Sequence, residues 1–274
     1  MIKTAIIAGQ GMLPVHLSDA LAAEGEDHLV AEMEGFPSDL KSPDIQRFRV
    51  ERLAPFLDHL TAEGVTRVVF AGSIRRPRLE PGLIDPKTAT LVPRLLGAVQ
   101  KGDDALLREV ISIFADWGFD VVGADVIAPG LVPGPGVLVG APSEADRHDA
   151  ARAAEIVAAL GQLDTGQGAV VAQGLCLAVE TLPGTDAMLG FVAAHAAGLR
   201  PDPLGAGGVL YKAPKPHQDR RIDLPVIGRD TVRAAAAAGL AGIVWEAGGI
   251  MLLDREATIA AADESGLFLW AREP

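Results

Sequence analysis

One cysteine and one tyrosine occur in 274 residues, and aromatic side chains make up only 4%. A single thiol has no partner for an internal disulfide, which suits a reducing compartment. Cys176 sits in the apolar run Gly174 to Ala178, where a buried small hydrophobe is the expected role. Few aromatics leave few platforms for stacked bases, and a net charge of −12 gives no general grip on nucleic acid. Long apolar runs are missing too: the most apolar tract, Ala234 to Trp245, is closed by Glu246 and is too short to span a bilayer. The first residues lack the charged and apolar regions and the cleavage site of a signal peptide. One cysteine and six scattered histidines show no zinc spacing. No G-x-S-x-G elbow or complete Walker loop occurs, which excludes serine hydrolases and P-loop NTPases. A cytoplasmic protein is expected.

What the chain has in quantity is apolar residues, 49%, and glycine, 31 residues, the composition of a compact α/β protein. Ile2 to Ala8 is a β-rich run that meets a glycine turn, and Leu13 to Ala23 follows with helical spacing. A strand at His28 to Ala31, a helix at Leu53 to Ala62 and a buried strand at Val65 to Gly72 continue the alternation. Strands alternating with helices imply a parallel sheet covered on both faces, so residues 1–133 read as a Rossmann-like domain. Three prolines and three glycines between Ile127 and Gly136 mark a linker. Residues 134–274 read as a second, mixed α/β domain, with a helix at Glu144 to Leu160, strands at Gly168 to Gln173 and Leu175 to Glu180, a helix from Thr185, and strands and helices from Val209 to Trp270.

Five segments carry candidate chemistry. GQGMLP at residues 9–14 is a strand-to-helix turn in which Gly9 and Gly11 permit close approach of a phosphate to a helix N-terminus. Pro14 stands where a dinucleotide fingerprint has its third glycine, and Glu32 or Glu34 occupies the place of a ribose-binding acid. The turn is equally readable as structural. AGSIRRP at residues 71–77 should emerge at the carboxyl edge of the sheet, presenting Gly72, Ser73, Arg75 and Arg76 to an anion, or forming a plain surface loop. KGDD at 101–104 and GTD at 184–186 each precede a helix. Asp103 and Thr185 there suit N-caps, while Lys101 would neutralise phosphate and Asp104 and Asp186 would bind a divalent ion. The fifth segment, residues 211–228, places Lys212, Lys215, Arg220 and Arg221 around Asp223 on a backbone stiffened by Pro214, Pro216 and Pro225. Cations on a stiff loop neutralise a bound phosphate, or form a structural ion-pair network.

Taken together, IAGxGxLP at residues 7–14, FAGxIxRP at 70–77, KGDDALLR at 101–108, LDxGQGxVV at 163–171, ExxxGTDAML at 180–189, KAPKPxQDxRxDLPxIG at 212–228 and AGLAGIxxEAG at 238–248 resemble the two-domain UDP-2,3-diacylglucosamine pyrophosphatases of the LpxI type. The motifs are long and collinear, and they span nearly the whole chain. The resemblance implies hydrolysis of UDP-2,3-diacylglucosamine to 2,3-diacylglucosamine 1-phosphate (lipid X) and UMP in lipid A biosynthesis, assisted by Mg²⁺ or another divalent cation. It implies a cytoplasmic homodimer with a Rossmann-like N-terminal domain, a distinct C-terminal domain and the acylated product held between them. One departure is Gln10, where relatives often have a further glycine.

The aspartate of the family's DLPxIG motif is essential for catalysis, and here it is Asp223, expected to ligate the metal or position water. Lys212, Lys215 and Arg221 are the expected transition-state cations. Gly9, Gly11, Gly72, Ser73, Arg75, Lys101, Thr185 and Gln218 are expected at the substrate, and Asp223, Asp104 and Asp186 at the metal. Because the substrate lies in a bilayer, weak apolar contact with the inner membrane is expected. The competing readings are a nicotinamide-dependent oxidoreductase and a non-catalytic nucleotide-sugar binding protein.

Overall fold

The computed structural model describes residues 2–41, 44–75, 77–198, 200–216, 218–222 and 224–274. Contacts divide the chain into two units, Met1–Pro129 and the remainder, except that the short segment Asp219–Ile222 belongs with the first.

In the first unit β1 (Thr4–Ala8) is buried at all five positions, as a strand covered on both faces must be. It is followed by α1 (Leu13–Ala23), β2 (His28–Met33), β3 (Gln46–Phe48), α2 (Leu53–Ala62) and β4 (Arg67–Ala71). After β4 come α3 (Pro86–Ala89), α4 (Val92–Val99), α5 (Asp103–Asp116), β5 (Asp120–Val122) and α6 (Ala124–Ile127). The strands pair in parallel in the order β3-β2-β1-β4-β5. This is the Rossmann order for one half, and its direction reverses between β1 and β4, where open α/β sheets take their ligands. Helix α2 forms because Leu53, Phe56, Leu57 and Leu60 fall on one face, and all four are buried in the core. Phe48 of β3 stacks on Phe56, ring centroids 4.0 Å apart, which ties the outermost strand to that helix.

The second unit comprises β6 (Gly136–Val139), α7 (Glu144–Gln162), β7 (Gly168–Ala172), β8 (Leu175–Val179), α8 (Gly184–His195) and β9 (Val209–Lys212). It continues through β10 (Val226–Ile227), α9 (Arg229–Ala237), β11 (Gly242–Glu246), β12 (Met251–Leu252), α10 (Arg255–Glu264) and β13 (Phe268–Arg272). Six strands run β6-β13-β11-β9-β7-β8. The central β9, β11 and β13 are parallel, while β6, β7 and β8 join by antiparallel pairing. One face packs on α7 through Ala150, Ala153 and Val157, and the opposite face carries α8, α9 and α10. No helix of the described residues is long and apolar enough to cross a membrane.

Several short elements were not foreseen. β3, β6, α6 and β10 are two to four residues long and have too few side chains to show a period. Cys176 corrects the expected burial: it is exposed, because β8 is the outermost strand and of its apolar run only Leu177 is fully covered.

The β7–β8 turn is held from outside the sheet. Gln173 and Gly174 both have positive φ, 55° and 79°, as a two-residue hairpin turn requires. Asp149 of α7, 2% exposed, accepts both of their amides, at 2.9 Å from Gln173 and 2.7 Å from Gly174. Asp149→Ala leaves both donors without that acceptor, and urea denaturation should show a loss of about 1–3 kcal/mol, with Asp149→Asn losing less.

Candidate active site

At the reversal point of the first sheet, the loops after β1 and β4 lock to each other. Gly9 N donates to Ala71 O at 2.7 Å, Gln10 N to Ser73 O at 2.9 Å, and Ser73 N to Gln10 O at 3.0 Å. A Cβ on Gly9 would lie 2.6 Å from Ser73 O, and one on Gly72, whose φ is +86°, 2.6 Å from Gln10 O. These two glycines therefore serve the approach of one loop to the other. Gly11, with φ +97°, faces open space, and α1 begins two residues later with Pro14 in its first turn. Ser73 and Arg75 are exposed at this edge, and Arg76 lies outside the described residues.

Glu32, the last residue but one of β2, stands at the place of a ribose-binding acid, but it is 3% exposed and accepts from Ser38 N at 2.8 Å and Ser38 Oγ at 2.6 Å. Its carboxylate pins the following loop. Lys101 is exposed before α5, whose N-cap is Gly102, φ +110°, with Asp103 and Asp104 in the first turn. The N-cap of α8 is Pro183, with Thr185 and Asp186 in its first turn. Asp103 and Thr185 are thus not the caps they were expected to be. The cap lies one residue before Asp103 and two before Thr185, and the acidic side chains of the first turns instead favour the positive end of the helix dipole.

In the second unit the segment from Lys212 builds a compact polar centre. Lys212 closes β9 and is 4% exposed; its Nζ donates to Thr185 Oγ1 at 2.6 Å and stands 3.7 Å from Glu180 Oε2. Glu180 follows β8, is 8% exposed, and donates its N–H to Gly168 O at 2.8 Å. A Cβ on Gly168 would come 2.5 Å from Glu180 Oε2, and one on Gly166 would run into Glu180 O. The two glycines of LDTGQG are therefore the hollow that Glu180 fills. Lys215 is paired with Asp164 at 2.5 Å, and the buried Gln218 accepts from Lys215 N at 2.9 Å through Oε1.

The segment Asp219–Ile222 belongs with the first unit, where Ile222 packs against the core of α2 and α5. Arg221 meets Asp219 at 2.7 Å and reaches Val121 O at 3.4 Å. The Arg221 guanidinium holds the Asp219 carboxyl below the usual carboxylate range, and Asp219 in turn raises Arg221. Asp223 lies outside the described residues. Among those described, no group of three or more His, Cys, Asp or Glu gathers as a metal cage. Among the described residues, Asp104 and Asp186 therefore have no such cluster around them.

Glu180, Asp164 and Asp219, the partners of the expected cations, were missed as site residues. Glu180 stood in a recognisable motif but read as a strand end. Asp164 stood in the LDxGQGxVV motif without an assigned role, and Asp219 fell in a segment read for its cations.

The LpxI N-terminal domain model matches residues 3–131, and the LpxI C-terminal domain model matches residues 134–270. A protein of Caulobacter vibrioides named UDP-2,3-diacylglucosamine pyrophosphatase LpxI is 42% identical over 281 residues, covering 100% of this chain and 99% of its own.

The loop lock predicts a difference between neighbouring glycines. Gly72→Ala, meeting backbone at positive φ, should cost about 2 kcal/mol or more, whereas Gly11→Ala should cost about 1 kcal/mol, both read by chemical denaturation.

Proposed function

The chain belongs to the LpxI family, and from that premise we infer that it is a UDP-2,3-diacylglucosamine pyrophosphatase, producing UMP and 2,3-diacylglucosamine 1-phosphate. The observation that carries this is end-to-end similarity: both family domains match in order, and the identity of 42% extends over the whole chain.

The polar centre supports the chemistry. Hydrolysis of a diphosphate concentrates negative charge on the leaving phosphate, so fixed cations stabilise the transition state more than the ground state. We assign that work to Lys212, Lys215 and Arg221. Each is matched by a carboxylate, Glu180, Asp164 and Asp219 respectively, so each side chain is held in place by its pairing. Gly11, Ser73, Arg75 and Lys101 are proposed for the nucleotide end, with Gly9 and Gly72 shaping the loop that presents them. Thr185 and Gln218 are proposed for the substrate in the second unit.

A Mg²⁺ ion is part of the same proposal. Mg²⁺ is usually held by one or two carboxylates together with substrate phosphates and waters, so no three-carboxylate cage is required. Asp223 is the proposed ligand, with Asp104 and Asp186 as the further acidic candidates. When bound, the ion would neutralise diphosphate charge. Homodimerisation and weak peripheral membrane contact belong to the proposal through the family resemblance and the diacylated substrate.

The nicotinamide reading loses its support at Glu32 and Glu34, whose carboxylates are engaged by Ser38 and Arg49. Asp223→Asn should fold and bind UDP-2,3-diacylglucosamine as the wild type does, by melting temperature and calorimetry, while UMP release is abolished. A near-normal rate would remove Asp223 from the mechanism. EDTA should stop the wild type and Mg²⁺ restore it.

A further inference from the structure

Beside the polar centre the second unit carries apolar side chains that its own core does not use. β8 is the outermost strand of the sheet, and α8 packs next to it. Between them runs a groove of about 280 Å³. Ala178 and Val179 form one wall, and Gly184, Ala187, Met188 and Phe191 of α8 form the other. The α8 residues stand at i, i+3, i+4 and i+7, which is a single stripe of a helix. Only Met188 of the four is buried; Ala187 is exposed, and Phe191 is 50% exposed. The apolar stripe of α8 therefore extends past the part that the fold covers. Phe191 is steadied at this edge by His195, ring centroids 4.8 Å apart.

The lining matches a hydrocarbon chain. Small residues at 178, 184 and 187 keep the groove narrow and bring its floor close to backbone. Among the described residues that line it none is charged, and Thr181 adds a lone hydroxyl at the rim. A slot of this kind gains from each methylene it takes out of water and has nothing to pair with an ionic ligand.

One end of the groove joins the polar centre. Thr181 follows Glu180, and Gly184 precedes Thr185, whose Oγ1 stands 2.6 Å from Lys212 Nζ. Gly184 N donates to Thr181 O at 2.8 Å, so a closed turn holds the groove to that centre. The substrate has the same anatomy: its acyl groups sit on sugar positions 2 and 3, beside position 1, which bears the phosphate. With the sugar phosphate at the polar centre, an acyl chain begins a few bonds away, at the mouth of the groove.

We propose that the groove between β8 and α8 is the slot for one acyl chain of the substrate, with Ala187 and Phe191 setting the chain length it accepts. The inference rests on the pyrophosphatase reading and names the part of the substrate that this face holds.

The test measures UMP release from UDP-2,3-diacylglucosamines carrying hexanoyl, decanoyl or tetradecanoyl chains in mixed micelles. Wild type, Ala187→Leu and Phe191→Ala are compared, with melting temperature and light-scattering mass for each. Ala187→Leu puts side-chain bulk where the chain would lie. Its kcat/KM relative to wild type should stay within about twofold on hexanoyl chains and fall about tenfold or more on tetradecanoyl chains, the scale on which an apolar pocket rejects surplus methylenes. Phe191→Ala, which removes a wall instead, should show a smaller loss in the same direction. A loss equal at all chain lengths, or none at any, would overturn the inference. So would a mass that halves in either variant, which would make the groove a contact between copies of the chain. A long-chain loss matched by weaker binding to substrate-free phosphatidylethanolamine and phosphatidylglycerol vesicles would assign the face to the bilayer and reject the slot. If Ala187→Leu does not fold, the same ratio for Phe191→Ala decides. A wild type that releases no UMP from any of the substrates overturns the activity reading itself, whereas an active wild type beside variants indifferent to chain length overturns only the slot.

Discussion

An ammonium group taken out of water must find a counter-charge, and much of the second unit's local architecture follows from meeting that need at Lys212. The lysine is 4% exposed at the end of a central parallel strand. Its position calls for Glu180 beside it, and Glu180 in turn calls for glycine at 166 and 168. Thr185 brings the start of α8 to the same point. Three segments far apart in sequence are thereby committed to one ion pair. Isolated buried pairs are poor devices for stability, since desolvation opposes the attraction. What the pairing fixes is position: Lys212 is held at the end of β9 against Thr185 and Glu180.

The first unit uses a different means to the same end. Its carboxyl edge is set by backbone alone: Gly9 and Gly72 let two loops exchange hydrogen bonds across the point where strand order reverses. Ser73, Arg75 and Gly11 are then displayed from a braced edge. Rigid display matters for phosphate recognition, because a fixed donor loses little freedom when the ligand arrives.

How far the sequence could be read depended on the kind of interaction. Helices α1 and α2 agree with expectation to the residue, because each carries a full period of apolar side chains. That the first sheet is parallel followed from alternation alone. The two-residue strand β10 carries no period, and it pairs with β12 only because the chain returns to the same place. Cys176 misled because an apolar run does not disclose which strand will be outermost. Glycines 9 and 72 announced close approach correctly, but the thing approached is a neighbouring loop. The cations of residues 212–221 were legible as a group, whereas Asp164 and Glu180 reach them only through tertiary folding.

The central claim is that the chain breaks the diphosphate of a diacylated nucleotide sugar. ³¹P nuclear magnetic resonance of the purified protein with UDP-2,3-diacylglucosamine and Mg²⁺ reads the bond directly. The account predicts that the paired diphosphate signals vanish and two monophosphate signals, UMP and the sugar 1-phosphate, grow in equal amount. Persistence of the diphosphate signals, or their replacement by those of free UDP, would contradict it.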